Sequence, residues 1–188
     1  VGIEVRIETT RLVMREWRDE DREPFAALNQ DPEVMRHFPS ALTPHESDAL
    51  VDRIRSHWGL AGYGLWAVEA DDGFVGFVGL SSPPWEASFT PCVEVGWRLA
   101  RHVWGRGYAT EAARAALAWG FANVDLPRDE IVSFTTVGNT ASRRVMEKIG
   151  LRHDPAADFD HPTLPDWEHR RHVLYRVTRT DWVALGTE

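Results

Sequence analysis

The chain is poor in cysteine and in positive charge and has no long apolar run, and each shortage removes a class of explanation. Cys92 is the one cysteine among 188 residues, so no intrachain disulfide can form, and a reducing cytoplasmic setting is expected. Lysine and arginine number 21 against 29 acidic residues, a net of −8, which argues against an electrostatic grip on nucleic acid or an anionic bilayer. Any phosphate ligand must therefore be held by local geometry. No stretch approaches the roughly 18 apolar residues of a membrane helix, and no basic and apolar segment follows Val1 and Gly2 that would read as a signal peptide. Histidine is the exception to this scarcity, with eight in the chain. Their spacing does not favour a metal. His169 and His172 are three apart in a predicted strand and so face opposite ways, and His37, His45, His57, His102, His153 and His161 show no ligand spacing. No catalytic metal is expected.

What remains is ample for a core. With 43% apolar and 11% aromatic residues, residues 1–188 are expected to form a single domain. "TRLVMREW" (10–17) reads as a strand. The stretch after it reads as a helix with Asp19 as its cap, interrupted at Pro32. From Thr43 the signals converge: a capping residue, proline at the first helical position, Glu46 three residues on, then Leu50, Ile54 and Trp58 at four-residue steps. "LWAVEA", "DDG" and "FVGFVGL" read as a hairpin, and 91–100 as a further strand. An alanine-faced helix follows (Ala109, Ala112, Ala113, Ala116, Leu117), then a strand "EIVSFTTV", a polar corner, a short helix stopped by Gly150, and a last strand "RRHVLYRVT". Strands and helices mix with several sequential strand pairs, which predicts an α+β domain around one mostly antiparallel sheet.

The stretch "WGRGYATEA" (104–112) places two glycines immediately before the alanine-faced helix. The first amides of a helix lack intrahelical partners, the macrodipole favours an anion there, and glycine admits an oxygen close to the backbone. Two phosphate loops are excluded: no Lys-Ser or Lys-Thr follows, and Thr110 stands where a dinucleotide loop needs its third glycine. Glycine spacing alone is equally compatible with a plain tight turn. A second block, "VGNTASRRVMEKIGL" (137–151), decides between them by setting Asn139 and Ser142 at a second strand-to-helix corner.

Together these blocks resemble the GCN5-related N-acetyltransferases (GNAT), most closely the RimJ/RimL-like branch that acetylates ribosomal-protein N-termini, and the resemblance runs over nearly the whole chain. It implies a mixed, mostly antiparallel sheet flanked by helices and splayed between two strands to hold acetyl-CoA. It further implies that Trp97, Arg98 and Leu99 pair their backbone with the pantetheine arm. Gly105, Arg106, Gly107, Tyr108, Ala109 and Thr110 would wrap the pyrophosphate, Asn139 would bond the arm, and Ser142 would lie near the sulfur. Trp104 replaces the family's usual Gln or Arg, a change the branch shares. Met146 stands where many members carry a tyrosine that protonates the leaving thiolate, and methionine donates no proton. The acid role then falls to Ser142 or to water.

Acyl transfer needs a neutral amine, so a base is sought. Glu94 is the first candidate, although it lies on the opposite strand face from Leu99 and needs either a bulge or a cleft that wraps around the strand. Its plain alternative is a solvated or salt-bridged strand residue. Glu111, in a first helical turn, reads as structural, and Cys92 as a small buried hydrophobe. The acidic, aromatic tract 154–172 offers Asp160, His161 and Trp167 to an acceptor pocket, with a solvated loop slightly favoured, and Phe38, Trp85 and Trp66 offer a second wall, with a plain core role as the more common alternative for such large aromatics. The sequence thus predicts an acetyl-CoA-dependent N-acetyltransferase working by direct transfer. Its acceptor is a protein N-terminus or a small amine, with no nucleic-acid or membrane partner and with a homodimer left open. A non-catalytic acyl-CoA-binding module is the alternative.

Overall fold

A computed structural model describes residues 5–71 and 73–186. In chain order the elements are β1 (Ile7–Glu8), β2 (Val13–Arg15), α1 (Arg22–Gln30), α2 (Pro32–Met35), α3 (Pro44–Ala61), β3 (Leu65–Ala70), β4 (Gly73–Ser81) and β5 (Glu94–Leu99). Then follow α4 (Tyr108–Asn123), β6 (Glu130–Thr136), α5 (Thr140–Lys148), β7 (Arg152–His153), β8 (Phe159–Asp160), β9 (Arg171–Thr178) and α6 (Arg179–Leu185). The strands form one open sheet in the order β1-β2-β3-β4-β5-β6-β9-β7, with β8 also on β9. Every pairing is antiparallel except β5 with β6, which run parallel and meet at a single residue pair, Glu94 with Val132. Beyond that pair the two strands part, so the sheet contains a gap at its centre.

Two layers cover the sheet. On one face α4 packs through Ala112, Ala113, Ala116 and Leu117, all fully buried with Val95, Leu99, Ile131 and Met146. The small side chains let the helix lie close to the strands. On the other face α1, α2 and α3 bring Phe25, Leu28, Met35, Val51 and Ile54 against Trp17, Ala67 and Phe77. Helix α3 starts as expected: Thr43 accepts from the Glu46 amide, Glu46 returns the bond to the Thr43 amide at 2.8 Å, and Pro44 occupies the first turn.

Four expectations need correction. Asp19 caps no helix. It lies in a short 3₁₀ turn and pairs with Arg55 at 2.8 Å, while α1 starts at Arg22 because Asp21 is drawn inward by Arg15. The strand expected over 91–100 is only Glu94–Leu99. Residues 154–172 are not simply a solvated loop, since Phe159–Asp160 pairs with β9. His169 precedes β9, so the strand-face argument does not apply to it.

Candidate active site

The gap is built by alternation. The Ala100 amide donates to the Val75 carbonyl and the Val132 amide to the Val93 carbonyl, both at 2.9 Å. Because successive residues aim their backbone groups to opposite sides, Trp97 and Leu99 turn theirs away from β4 into the gap, while Arg98 turns its own toward β4. The Leu99 carbonyl is already taken by the Trp104 indole at 2.8 Å. Of the three residues expected to pair with a pantetheine arm, Trp97 and Leu99 thus have the right backbone direction and Arg98 does not.

At the end of the gap next to α4, Gly105 and Gly107 adopt φ of +75° and +81°, left-handed conformations that side chains resist. Gly107 caps α4 without a side chain, and the first bond back to it is from the Glu111 amide at 3.0 Å. The amides of Tyr108, Ala109 and Thr110 precede that bond and form an anion-accepting helix start. A Cβ at Gly105 would meet nothing within 4 Å, so this backbone faces open space. Arg11 fixes the loop. It donates to the Arg106 carbonyl at 2.7 Å and to Glu111 at 2.7 Å, and it lies over the Tyr108 ring. Burial works against the ionised Glu111, but bonds from Thr9 and Arg11 outweigh it and hold its carboxyl below the ordinary value. Glu111 is structural, as its position in the first turn indicated.

Asn139 and Ser142 occupy the second corner, on the lip formed by β6. Asn139 caps α5, accepting from the Ser142 amide at 3.2 Å and donating to the Thr135 hydroxyl at 2.9 Å. Each end of its amide retains one further hydrogen-bonding position. Met146 is 1% exposed and packs in the core beneath α4, so that position supplies neither a proton nor a solvent path.

The opposite face of the gap carries different chemistry. Register between β4 and β5 is unbroken from Gly76–Leu99 to Ser81–Glu94, so no bulge turns Glu94 toward α4. The role expected of Glu94 then requires that the gap reach its face of the sheet. The Glu94 carboxyl accepts one bond, from Ser81 at 3.3 Å, and no cation pairs with it among the described residues. Burial pushes it up to about 8. A carboxylate of that basicity can take a proton near neutral pH. Beside it lies Gly96, whose missing side chain leaves a bare floor: a Cβ there would meet only the Glu94 Oε1, at 3.7 Å. His37 reaches the Thr136 hydroxyl at 3.3 Å on the β6 side, and Phe38 lies 4.2 Å from the Arg98 guanidinium on the β5 side. These two residues bridge the lips of the gap, and only Phe38 was anticipated.

Further along this face Trp85 contacts Phe134 (5.5 Å between centroids) and His161 (5.0 Å), and His161 lies 5.2 Å from His172. Burial lowers His161 and His172 below the ordinary imidazole value. Trp85, Phe134, His161 and His172 thus line one wall, with Trp167 6.2 Å from His172. Asp160 faces away and is held by Arg170 and Arg171. Trp66 belongs elsewhere: it is fully buried between Trp58 and Trp119, remote from the gap. Cys92 is 4% exposed and burial pushes its thiol up to about 12, which leaves it inert at neutral pH. Among the described residues no group of three or more His, Cys, Asp or Glu side chains is placed to hold a metal, and no helix is long and apolar enough to cross a membrane.

The family model of the acetyltransferase (GNAT) domain matches residues 11–152. The chain belongs to the GNAT acetyltransferases. It is 31% identical over 186 residues to FsC-acetyl coenzyme A-N(2)-transacetylase from Aspergillus fumigatus, covering 95% of this chain and 78% of the relative. The GNAT-family acetyltransferase structure from Bacillus anthracis superposes with a TM-score of 0.75 at 25% identity, over 93% of this chain and 98% of the other. The structure of RimL, a ribosomal-protein alpha-N acetyltransferase in complex with coenzyme A, superposes at 0.74 over 93% and 98%; at 14% identity it shares the fold alone. This chain is accordingly an acetyl-CoA-dependent N-acetyltransferase, and its mixed open sheet is the GNAT fold.

Proposed function

We propose that the protein transfers an acetyl group from acetyl-CoA directly to a primary amine in a ternary complex, in the cytoplasm, with the thioester in the β5–β6 gap. The observation carrying this reading is that strands β5 and β6 part beyond one residue pair, with an anion-accepting helix start on one face of the sheet there and, on the other, a carboxylate that no cation pairs among the described residues. Residues 105–110 would hold the pyrophosphate, Asn139 and the gap-facing backbone of Trp97 the arm, and one of the gap-facing amides the developing oxyanion. Acetyl-CoA supplies the activated acyl carbon. Glu94, directly or through water, takes the amine proton as the C–N bond forms and the C–S bond breaks. A thiol pKa of about 8.5 makes the thiolate a tolerable leaving group, so Ser142 or water suffices as proton source.

Thiol release from acetyl-CoA across a panel of amines tests this. Wild-type kcat/KM should rise with pH through about 8, following Glu94, and Glu94→Gln should lose about 10²–10⁴-fold together with that rise. Full turnover in Glu94→Gln at every pH overturns the base assignment. Cofactor binding without turnover on any amine favours an acyl-CoA-binding module instead.

A further inference from the structure

The comparisons leave the acceptor undefined between a protein N-terminus and a small amine, and Arg98 supplies a criterion. Its side chain leaves β5 on the Glu94 face, opposite Val95, Trp97 and Leu99. The guanidinium lies between Phe38 at 4.2 Å and Phe77 at 5.5 Å, and its Nη1 donates to the Asn29 carbonyl oxygen at 2.6 Å. Its Nε is buried without a hydrogen-bond partner, and among the described residues no carboxylate pairs with the group. A guanidinium drawn from water with only a neutral amide and two aromatic rings for company is short of an anion. Glu94 does not supply it. The two stand four residues apart on one strand, roughly 13 Å between Cα atoms, and the bare floor of Gly96 lies between them.

We infer that Arg98 reads a carboxylate on the acceptor, so that the substrate is a free amino acid or a similar small amino-carboxylate, its amine beside Glu94 and its acid group on Arg98. This rests on the acetyltransferase reading and narrows it. A peptide N-terminus presents an amide where the carboxylate is required, and a polyamine presents a second cation to Arg98. Burial lowers Arg98 to about 10, the signature of a cation without its counter-charge. A ligand carboxylate would complete a fork-shaped, charge-assisted pair that Asn29 and Phe38 hold in plane. Arg98 would act as a specificity residue, since it touches the acceptor away from the reacting atoms.

The test needs matched pairs: each L-amino acid against its own carboxamide, with spermidine and an alanine-initiated peptide alongside, all with acetyl-CoA and wild-type protein. The acids should exceed their amides by about 10- to 100-fold in kcat/KM, mainly through KM, as expected for one charged hydrogen-bonded pair. In Arg98→Gln that ratio should fall toward one, and Arg98→Lys should restore part of it. Should Arg98→Gln lack a cooperative melt, the wild-type ratio decides. Amides, spermidine or the peptide turning over as well as the acids would overturn the inference, as would an unchanged ratio in a folded Arg98→Gln. Thermal shifts with coenzyme A present separate the two levels. Stabilisation by acids but not amides, without turnover, upholds the Arg98 site and sinks the transferase reading. With no shift and no turnover, both fall.

Discussion

Two arginines lean on the core from the same sheet, Arg15 buried and Arg98 half-buried, and their surroundings differ. Arg15 on β2 is 1% exposed and carries its own anions: Asp21 grips it through both oxygens at 2.8 Å, and Glu69 adds a third contact at 2.5 Å. Those bonds, Asp21 first, raise its pKa. Arg98 on β5 has one neutral amide and, among the described residues, no carboxylate, and burial lowers it to about 10. The first arrangement has its charge compensated within the chain, although its Nε is buried without a partner as that of Arg98 is, and it locks the 3₁₀ turn before α1. The second becomes complete only with something added. Both desolvate a cation, so what distinguishes an architectural arginine from a ligand-reading one is whether the compensating charge is built in.

Breaking the complete arrangement should have the largest effect. Asp21→Ala leaves Arg15 in the interior with Glu69 as its remaining anion beside the Glu16 carbonyl, and also removes the acceptor of the Arg18 amide at 2.7 Å. Orphaning one partner of a buried pair costs about 3–5 kcal/mol. At roughly 2–4 °C per kcal/mol for a chain of this size, thermal melts should show a Tm drop on the order of 10 °C. A drop of a degree or two would mean that solvent reaches Arg15 far more freely than its burial indicates.

How much of this contrast the sequence carried depends on the range of each contact. The capping box at Thr43, Pro44 and Glu46 and the left-handed glycines at 105 and 107 were legible because a local conformation demanded particular residue types. The helix face of Ala112, Ala113 and Ala116 was legible from its period. Arg98 could be placed on the Glu94 face by counting, yet two of the three groups that meet it there lie at separations of 60 or more: Asn29 is 69 residues away and Phe38 is 60, with Phe77 alone nearer at 21. No local pattern announces such a meeting. Asp19 read as a cap because nothing local shows that it pairs instead with Arg55, 36 residues away. The short strands β1, β7 and β8 have two residues each, too few for alternation to register, and α6, capped by Thr178, shows less than two full turns.

Glu94 is the anionic counterpart of Arg98, a carboxylate without a cation, and it sharpens the comparison through pH. Its folded pKa of about 8 lies above its ordinary 4.5. The protonated form is therefore favoured by folding, so the stability this contributes is fully present below about 4.5 and lost as pH rises through about 8. Glu94→Gln cannot ionise and should escape the loss. Near pH 9 it should melt above wild type, by about 2 kcal/mol after allowance for the open gap, or roughly 4–8 °C, and near pH 4 the two should nearly coincide. Equal melts at both pH values would show that the Glu94 carboxyl is solvated. The Arg11–Glu111 pair lies between the extremes, since Arg11 is 45% exposed on its side chain. Glu111→Ala should cost only about 1 kcal/mol in stability. Because the pair steadies the loop at Arg106, its clearer consequence should be a several-fold rise in the Kd for coenzyme A, read by calorimetry.

The smallest stability effect should come from Arg98→Met, and its smallness is what the comparison turns on. Removing the guanidinium discards a hydrogen bond to Asn29 and the stacking on Phe38 and Phe77, worth about 1–2 kcal/mol each. It also discards the cost of keeping a lone cation out of water, and methionine fills much of the vacated volume. No carboxylate is orphaned, because none was paired. The opposing contributions should leave Tm within about 3 °C of wild type, against the large drop for Asp21→Ala, while the preference for carboxylate-bearing acceptors disappears. Equal destabilisation in the two variants would place both arginines in the architecture and leave Arg98 no reason to await a ligand.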